Sequence, residues 1–269
     1  EGETAGGIAL QQPRGLFVDR HDRLYVADTG NERILLFGTD GELLHIYAKP
    51  ESKLLPSPFY YRPVRLSVDQ RGEMFVVSQG LYEGMLELAD DGSFVGFFGA
   101  NRVRFDLRQF LWKRLSTKAQ KAQMGRDLPA EFSSVDIDRD GFIYSSSLRM
   151  EYNQVKKISA VGVDVMNMHN ASNKYGDKLD VYVGLTRVLP QLIDIAVDDR
   201  GIMTVIDGST SRIFQYDQNK NLLAAFGGKG RMVGQIETPS AVEASADGQW
   251  IYALDSSLGR LTRYKATAF

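Results

Sequence analysis

Short apolar runs separated by polar turns dominate the chain, and one pattern returns five times. The segments are GLFVDRHDRLYVADTG from Gly15, RLSVDQRGEMFVVSQG from Arg65, SVDIDRDGFIYSSS from Ser134, DIAVDDRGIMTVIDGS from Asp194 and AVEASADGQWIYALDSS from Ala241. In each, an apolar stretch leads into a turn carrying an aspartate (Asp19, Asp69, Asp138, Asp198 or Asp247) and then into a second apolar stretch. A third stretch follows, starting at Arg33, Gly84, Gln154, Arg212 and Arg260, in which side chains alternate between two faces. Period-two alternation bounded by Gly and Asp turns predicts β-strands. Four units add a fourth stretch (LLHIYA, FVGFFG, VDVMNM, LLAAFGG), and the fifth ends before one forms.

Four short antiparallel strands repeated around an axis predict an all-β propeller. The units fall at about 13–48, 63–100, 131–166, 191–228 and 239–269, within a single domain spanning 1–269. Segments 49–62, 101–128 and 167–190 lie between units and read as loops or insertions.

The best-formed unit, residues 11–44, carries Pro13 before its first strand, YVAD from Tyr25 to Asp28, TGNxRI from Thr29 to Ile34 and Gly41 after its third strand. In these residues the chain resembles the NHL-repeat family. Asp207, Arg212 and Ile213, then Pro239, Asp255 and Arg260, extend the resemblance to the fourth and fifth units. The resemblance implies six blades, whereas five units are clear in the sequence. Either a sixth is divided between the termini and the 167–190 region, or the ring has five; residues 1–10 would complete the last blade and close the ring.

Residues 101–128 interrupt the strand pattern. Phe105, Leu107, Phe110, Leu111 and Leu115 recur near helical spacing with no proline, predicting a helix. The charge of residues 101–126 is one-sided: Arg102, Arg104, Arg108, Lys113, Arg114, Lys118, Lys121 and Arg126 face a single acid, Asp106. The bland expectation is a blade-covering helix with its basic face in water. Arg108, Lys113, Arg114, Lys118 and Lys121 would otherwise meet an acidic partner or an anionic membrane surface. The stretch near WKRLSTKAQKAQM also resembles a group of bacterial, mostly Gram-positive, NHL-containing proteins, which implies an extracellular or cell-surface setting.

Composition narrows the chemistry. Of 269 residues, 43% are apolar and 25% charged, the balance of a globular domain, and the net charge of −2 supplies no general attraction for nucleic acid. With no cysteine, disulfides, thiolate metal sites and cysteine nucleophiles are excluded. His21, His45 and His169 are not spaced as metal ligands, and neither a Gly-x-Ser-x-Gly elbow nor a phosphate loop occurs.

The turn aspartates read as structural, since Asp accepts hydrogen bonds from nearby backbone N–H groups. Residues of the unit's second loop are the candidates for a ligand face: Asp28, Asn31, Arg33, Ser78, Tyr82, Arg149, Asp207, Arg212, Asp255 and Arg260. For Asp28 and Arg33 a structural role in ordering the loop is the favoured alternative.

The expected function is therefore non-catalytic, with loops presented to a protein, peptide or glycan and no cofactor required. The alternative is a metal-dependent hydrolase resembling the sugar-lactonase propellers, which hold a divalent cation such as calcium in the channel. Asn170, Asn173, Asp194 and Asp207 are its candidate ligands.

Overall fold

The computed structural model describes residues 4–5, 7–99, 130–148, 150–167, 172–176, 181–183 and 186–267. Strands β1 (Thr4–Ala5) and β2 (Ile8–Ala9) pair with each other. Blade 1 is β3 (Pro13–Val18), β4 (Leu24–Asp28), β5 (Arg33–Phe37) and β6 (Leu43–Tyr47). Blade 2 is β7 (Pro63–Val68), β8 (Met74–Ser78), β9 (Met85–Leu88) and β10 (Phe94–Phe98). Blade 3 has β11 (Phe132–Ile137), β12 (Ile143–Ser147) and β13 (Val155–Ile158). After the antiparallel pair β14 (Val181–Val183) and β15 (Thr186–Val188) comes blade 4, with β16 (Leu192–Val197), β17 (Met203–Asp207), β18 (Arg212–Tyr216) and β19 (Leu222–Gly227). Blade 5 is β20 (Pro239–Ala244), β21 (Trp250–Asp255) and β22 (Arg260–Lys265).

Each blade is an antiparallel meander, and the turn aspartates explain its tight first hairpin. Oδ1 of Asp19 accepts from the N–H groups of His21 and Arg23 at 2.8 and 3.0 Å. Asp69, Asp138 and Asp198 repeat this on residues two and four further along. The turn thus carries its own backbone satisfaction.

Apolar side chains on facing sheets interlock between consecutive blades. Tyr25, Ile34 and Leu36 of blade 1 pack with Leu66 and Val76 of blade 2, and Phe75 and Phe98 of blade 2 with Val135 and Ile143 of blade 3. Tyr144 meets Ile195, Met203 and Phe214 between blades 3 and 4, and Ile206 and Ile213 meet Val242 and Ile251 between blades 4 and 5.

The described residues form five blades, not six. Among its described residues, region 167–190 contributes the isolated pair β14–β15, and β1 and β2 pair with each other rather than with blade 5. Ile8 and Leu10 instead pack on Val26, Leu35 and Phe37 of blade 1, so the expected closure through residues 1–10 does not occur. The predicted helix, with Arg108, Lys113, Arg114, Lys118 and Lys121, lies outside the described residues.

Candidate functional site

Every innermost strand has a β-bulge at its second residue: between Pro13 and Gly15, Pro63 and Arg65, Phe132 and Ser134, Leu192 and Asp194, and Pro239 and Ala241. A bulge re-aims the neighbouring side chain. The third position is therefore one layer around the axis, holding Gly15, Arg65, Ser134, Asp194 and Ala241.

That layer is a polar fastener. Arg65 Nε donates to Asp194 Oδ1 at 3.1 Å. Arg65 Nη1 reaches the carbonyls of Arg14 and Val64 at 3.0 and 2.9 Å, and Nη2 the carbonyl of Ser240 at 2.7 Å. The Ser134 hydroxyl also donates to Asp194 Oδ1, and the Val242 N–H donates to Oδ2 at 2.9 Å. One ion pair thus gathers groups from all five blades. Gly15 belongs to the design, because a Cβ there would lie 2.6 Å from the Val64 carbonyl oxygen.

The fifth position forms the next layer: Phe17, Ser67, Asp136, Ala196 and Glu243. Asp136 Oδ2 accepts from Val197 N–H at 2.7 Å, tying blade 3 to blade 4, and Oδ1 accepts from Ile137 N–H. Burial pushes the Asp136 carboxyl up to about 7, with the nearby charge of Asp194 adding to it. Glu243 is enclosed by protein yet reached by water. Desolvation, then the charges of Asp136 and Asp194, lift it to about 8. Two carboxyls that titrate near neutrality can hold and release a proton at the axis.

The ligand-face candidates sit at one rim of the blades, and the structure does not gather them into one cluster. Asp28, Ser78, Asp207 and Asp255 are the last residues of their second strands and are buried. Each accepts from the backbone N–H of a residue just before its blade: Gln11, Arg62, Gln191, and Glu237 with Thr238. Asp28 Oδ2 also takes Asn31 Nδ2 at 2.7 Å and Arg33 Nε at 2.8 Å, and Asn31 Nδ2 and Arg33 Nη2 reach the Ala9 carbonyl. Arg260 donates to the carbonyls of Gln235 and Arg231. Arg212 lies over the Phe214 ring, Tyr82 is half-buried in its loop, and Arg149 lies outside the described residues. Replacing Asp28 by Ala strands several donors and should cost about 1–3 kcal/mol of stability, read from urea unfolding; Asp28→Asn should lose less.

A divalent cation does not fit the residues that the lactonase reading puts forward. Asp194 has both oxygens engaged at the axis, and Asp207 is locked in the rim. Asn173 hydrogen-bonds Asn167 and Asn153, and Asn170 is outside the described residues. Among the described residues no three His, Asp or Glu side chains converge as metal ligands.

The rim also carries the connections between blades, and there large apolar side chains face water. Leu54 and Tyr60 precede blade 2; Met232 and Val233 precede blade 5; all four are well exposed.

Five radial sheets on a common axis define a β-propeller. Among solved structures the chain is similar to an inactive virginiamycin B lyase from Staphylococcus aureus with quinupristin, at 11% identity over 96% of this chain and 71% of that one, with a TM-score of 0.53. It is similar also to the hydrazine synthase of Kuenenia stuttgartiensis (12%, 96% and 84%, 0.55) and to the calcium-binding protein regucalcin of Agrobacterium tumefaciens (12%, 96% and 72%, 0.52). At such identities the likeness is one of fold, which admits both binding and catalytic roles. No protein-family profile matches the chain, and no curated protein matches it in sequence.

Proposed function

We propose that this is a non-catalytic binding propeller of NHL type, which presents its connection-bearing rim to a protein or peptide. The observation that carries the reading is the exposure of Leu54, Tyr60, Met232 and Val233 on that rim. Apolar surface held in water by a rigid frame favours association with another polypeptide over a glycan. Asp194 and Asp136 at the axis support the same view, because their hydrogen bonds are spent on joining blades. With its small negative net charge the chain is not proposed to bind nucleic acid. An extracellular or cell-surface setting belongs to this proposal through the resemblance of the stretch near WKRLSTKAQKAQM.

Photo-crosslinking tests it. A benzophenone side chain at Tyr60 or Val233 should give a discrete adduct with a polypeptide in extract of the source cells. The same probe at Asn219, in a turn at the opposite rim, should give none. Equal yields from all three positions would exclude the rim as the binding surface.

A further inference from the structure

The connection from blade 1 to blade 2, residues 49–62, is held from inside. Leu55, Phe59 and Tyr61 turn onto the core shared by those blades, and Tyr61 is fully buried. Lys49 Nζ donates to the Phe59 carbonyl and lies 5.3 Å from the centre of the Phe59 ring. A turn from Ser52 to Leu55 fixes the middle of the segment. At its end the Arg62 N–H donates to Ser78 Oγ at 3.0 Å, and the Arg62 carbonyl accepts from the Gln79 N–H at 2.9 Å.

The outward side chains sit next to these anchors. Leu54 adjoins Leu55 and is 72% exposed; Tyr60 lies between Phe59 and Tyr61 and is 64% exposed. From Phe59 to Arg62 burial runs half-buried, exposed, buried, exposed, the pattern of an extended chain. Residues two apart then share a side, so Tyr60 and Arg62 face outward together. An unanchored loop would turn such apolar side chains inward, and the three buried neighbours prevent it here.

The cations beside Leu54 and Tyr60 are unspent. Lys49 pairs with Glu32 at 3.6 Å, but Lys53 and Arg62, both exposed, have no carboxylate partner among the described residues. The segment's own acid, Glu51, pairs with neither. By contrast Arg231, next to Met232 in the connection to blade 5, is paired with Glu237 at 3.5 Å.

We propose that the 49–62 connection is the recognition element of the rim, and that it takes an acidic segment of another protein in which a carboxylate stands beside a large apolar residue. Arg62 meets the carboxylate with a two-pronged hydrogen bond, and Lys53 adds a second charge. Leu54 and Tyr60 cover the apolar neighbour. Tyrosine and arginine dominate the energetics of protein interfaces, and side chains on a frame already fixed lose little freedom on binding. Two unpaired cations suit a peptide carboxylate and fall short of the roughly four to eight that hold a segment to an anionic membrane. The inference rests on the binding role proposed above and adds the partner's chemistry.

Selection of a phage-displayed library of random dodecapeptides on the whole chain tests it. Enriched sequences are expected to place Asp or Glu beside Leu, Phe or Trp. A synthetic peptide of the enriched sequence should bind on the order of 10-fold more weakly to K53E/R62E, and more weakly at high salt. L54S/Y60S should abolish the enrichment. All four side chains are exposed, so both variants should melt with the parent chain. Enrichment that L54S/Y60S abolishes but that lacks acids, or peptide binding unchanged in K53E/R62E, overturns the acidic partner and leaves the apolar rim standing. Enrichment indifferent to L54S/Y60S, or no enrichment, overturns both. Binding to phosphatidylserine vesicles tighter than to any selected peptide, and lost in K53E/R62E, overturns the proposal in favour of a membrane.

Discussion

Replacing Arg65 by alanine is expected to destabilise the propeller by about 3–5 kcal/mol. The variant removes the guanidinium that pairs with Asp194 and takes away donors to the carbonyls of Arg14, Val64 and Ser240. Asp194 is left 5% exposed, with its charge met only by Ser134 and the Val242 N–H. An unmatched carboxylate in such surroundings costs more than the pair contributed, because desolvation is no longer offset. The melting temperature should fall by roughly 10 °C. The double variant R65M/D194L, apolar on both sides, should recover most of the loss, because it removes the buried charge itself. Urea unfolding followed by circular dichroism measures each. A loss below about 1 kcal/mol in R65A, the range of exposed pairs, would show that the axial ion pair does not hold the blades.

Stability should also fall as the solution is made alkaline, through Asp136 and Glu243. Both carboxyls titrate higher in the folded chain, near 7 and 8, than in the unfolded one. The native state therefore binds protons more tightly. Their stabilisation is complete below the unfolded values and is lost as pH rises through 7 and 8. Above that range Asp136, Asp194 and Glu243 all carry charge around one axis, with Arg65 hydrogen-bonded to Asp194. Because Glu243 is wet, screening moderates the repulsion, and a fall on the order of 5 °C between about pH 5 and about pH 8.5 is expected. D136N/E243Q should flatten this dependence. A melting temperature equally pH-sensitive in that variant would assign the effect to other groups.

Much of the architecture was legible because repetition and turn chemistry are local. Asp19, Asp69, Asp138 and Asp198 announce their hairpins by spacing alone, and alternation in segments such as Arg33–Phe37 marks the strands. The axis was not legible. Gly15, Arg65, Ser134, Asp194 and Ala241 occupy one position of the repeat but share no chemistry, so no motif connects them. A usable signal did exist: charges of opposite sign at one position of otherwise apolar innermost strands. Asp28, Asp207 and Asp255 were placed in loops, whereas strand pairing carries them to buried strand ends, where they hold the chain entering each blade. Blade number was misjudged because whether a weak apolar stretch joins a sheet depends on tertiary packing, as Ile8 on blade 1 shows.

The axial ion pair also governs how the sheets come apart. Each apolar interface joins two consecutive blades, whereas Arg65 and Asp194 touch groups of all five. Loosening one interface therefore leaves its two sheets still tethered through the hub, and unfolding becomes all-or-none only while that hub is intact.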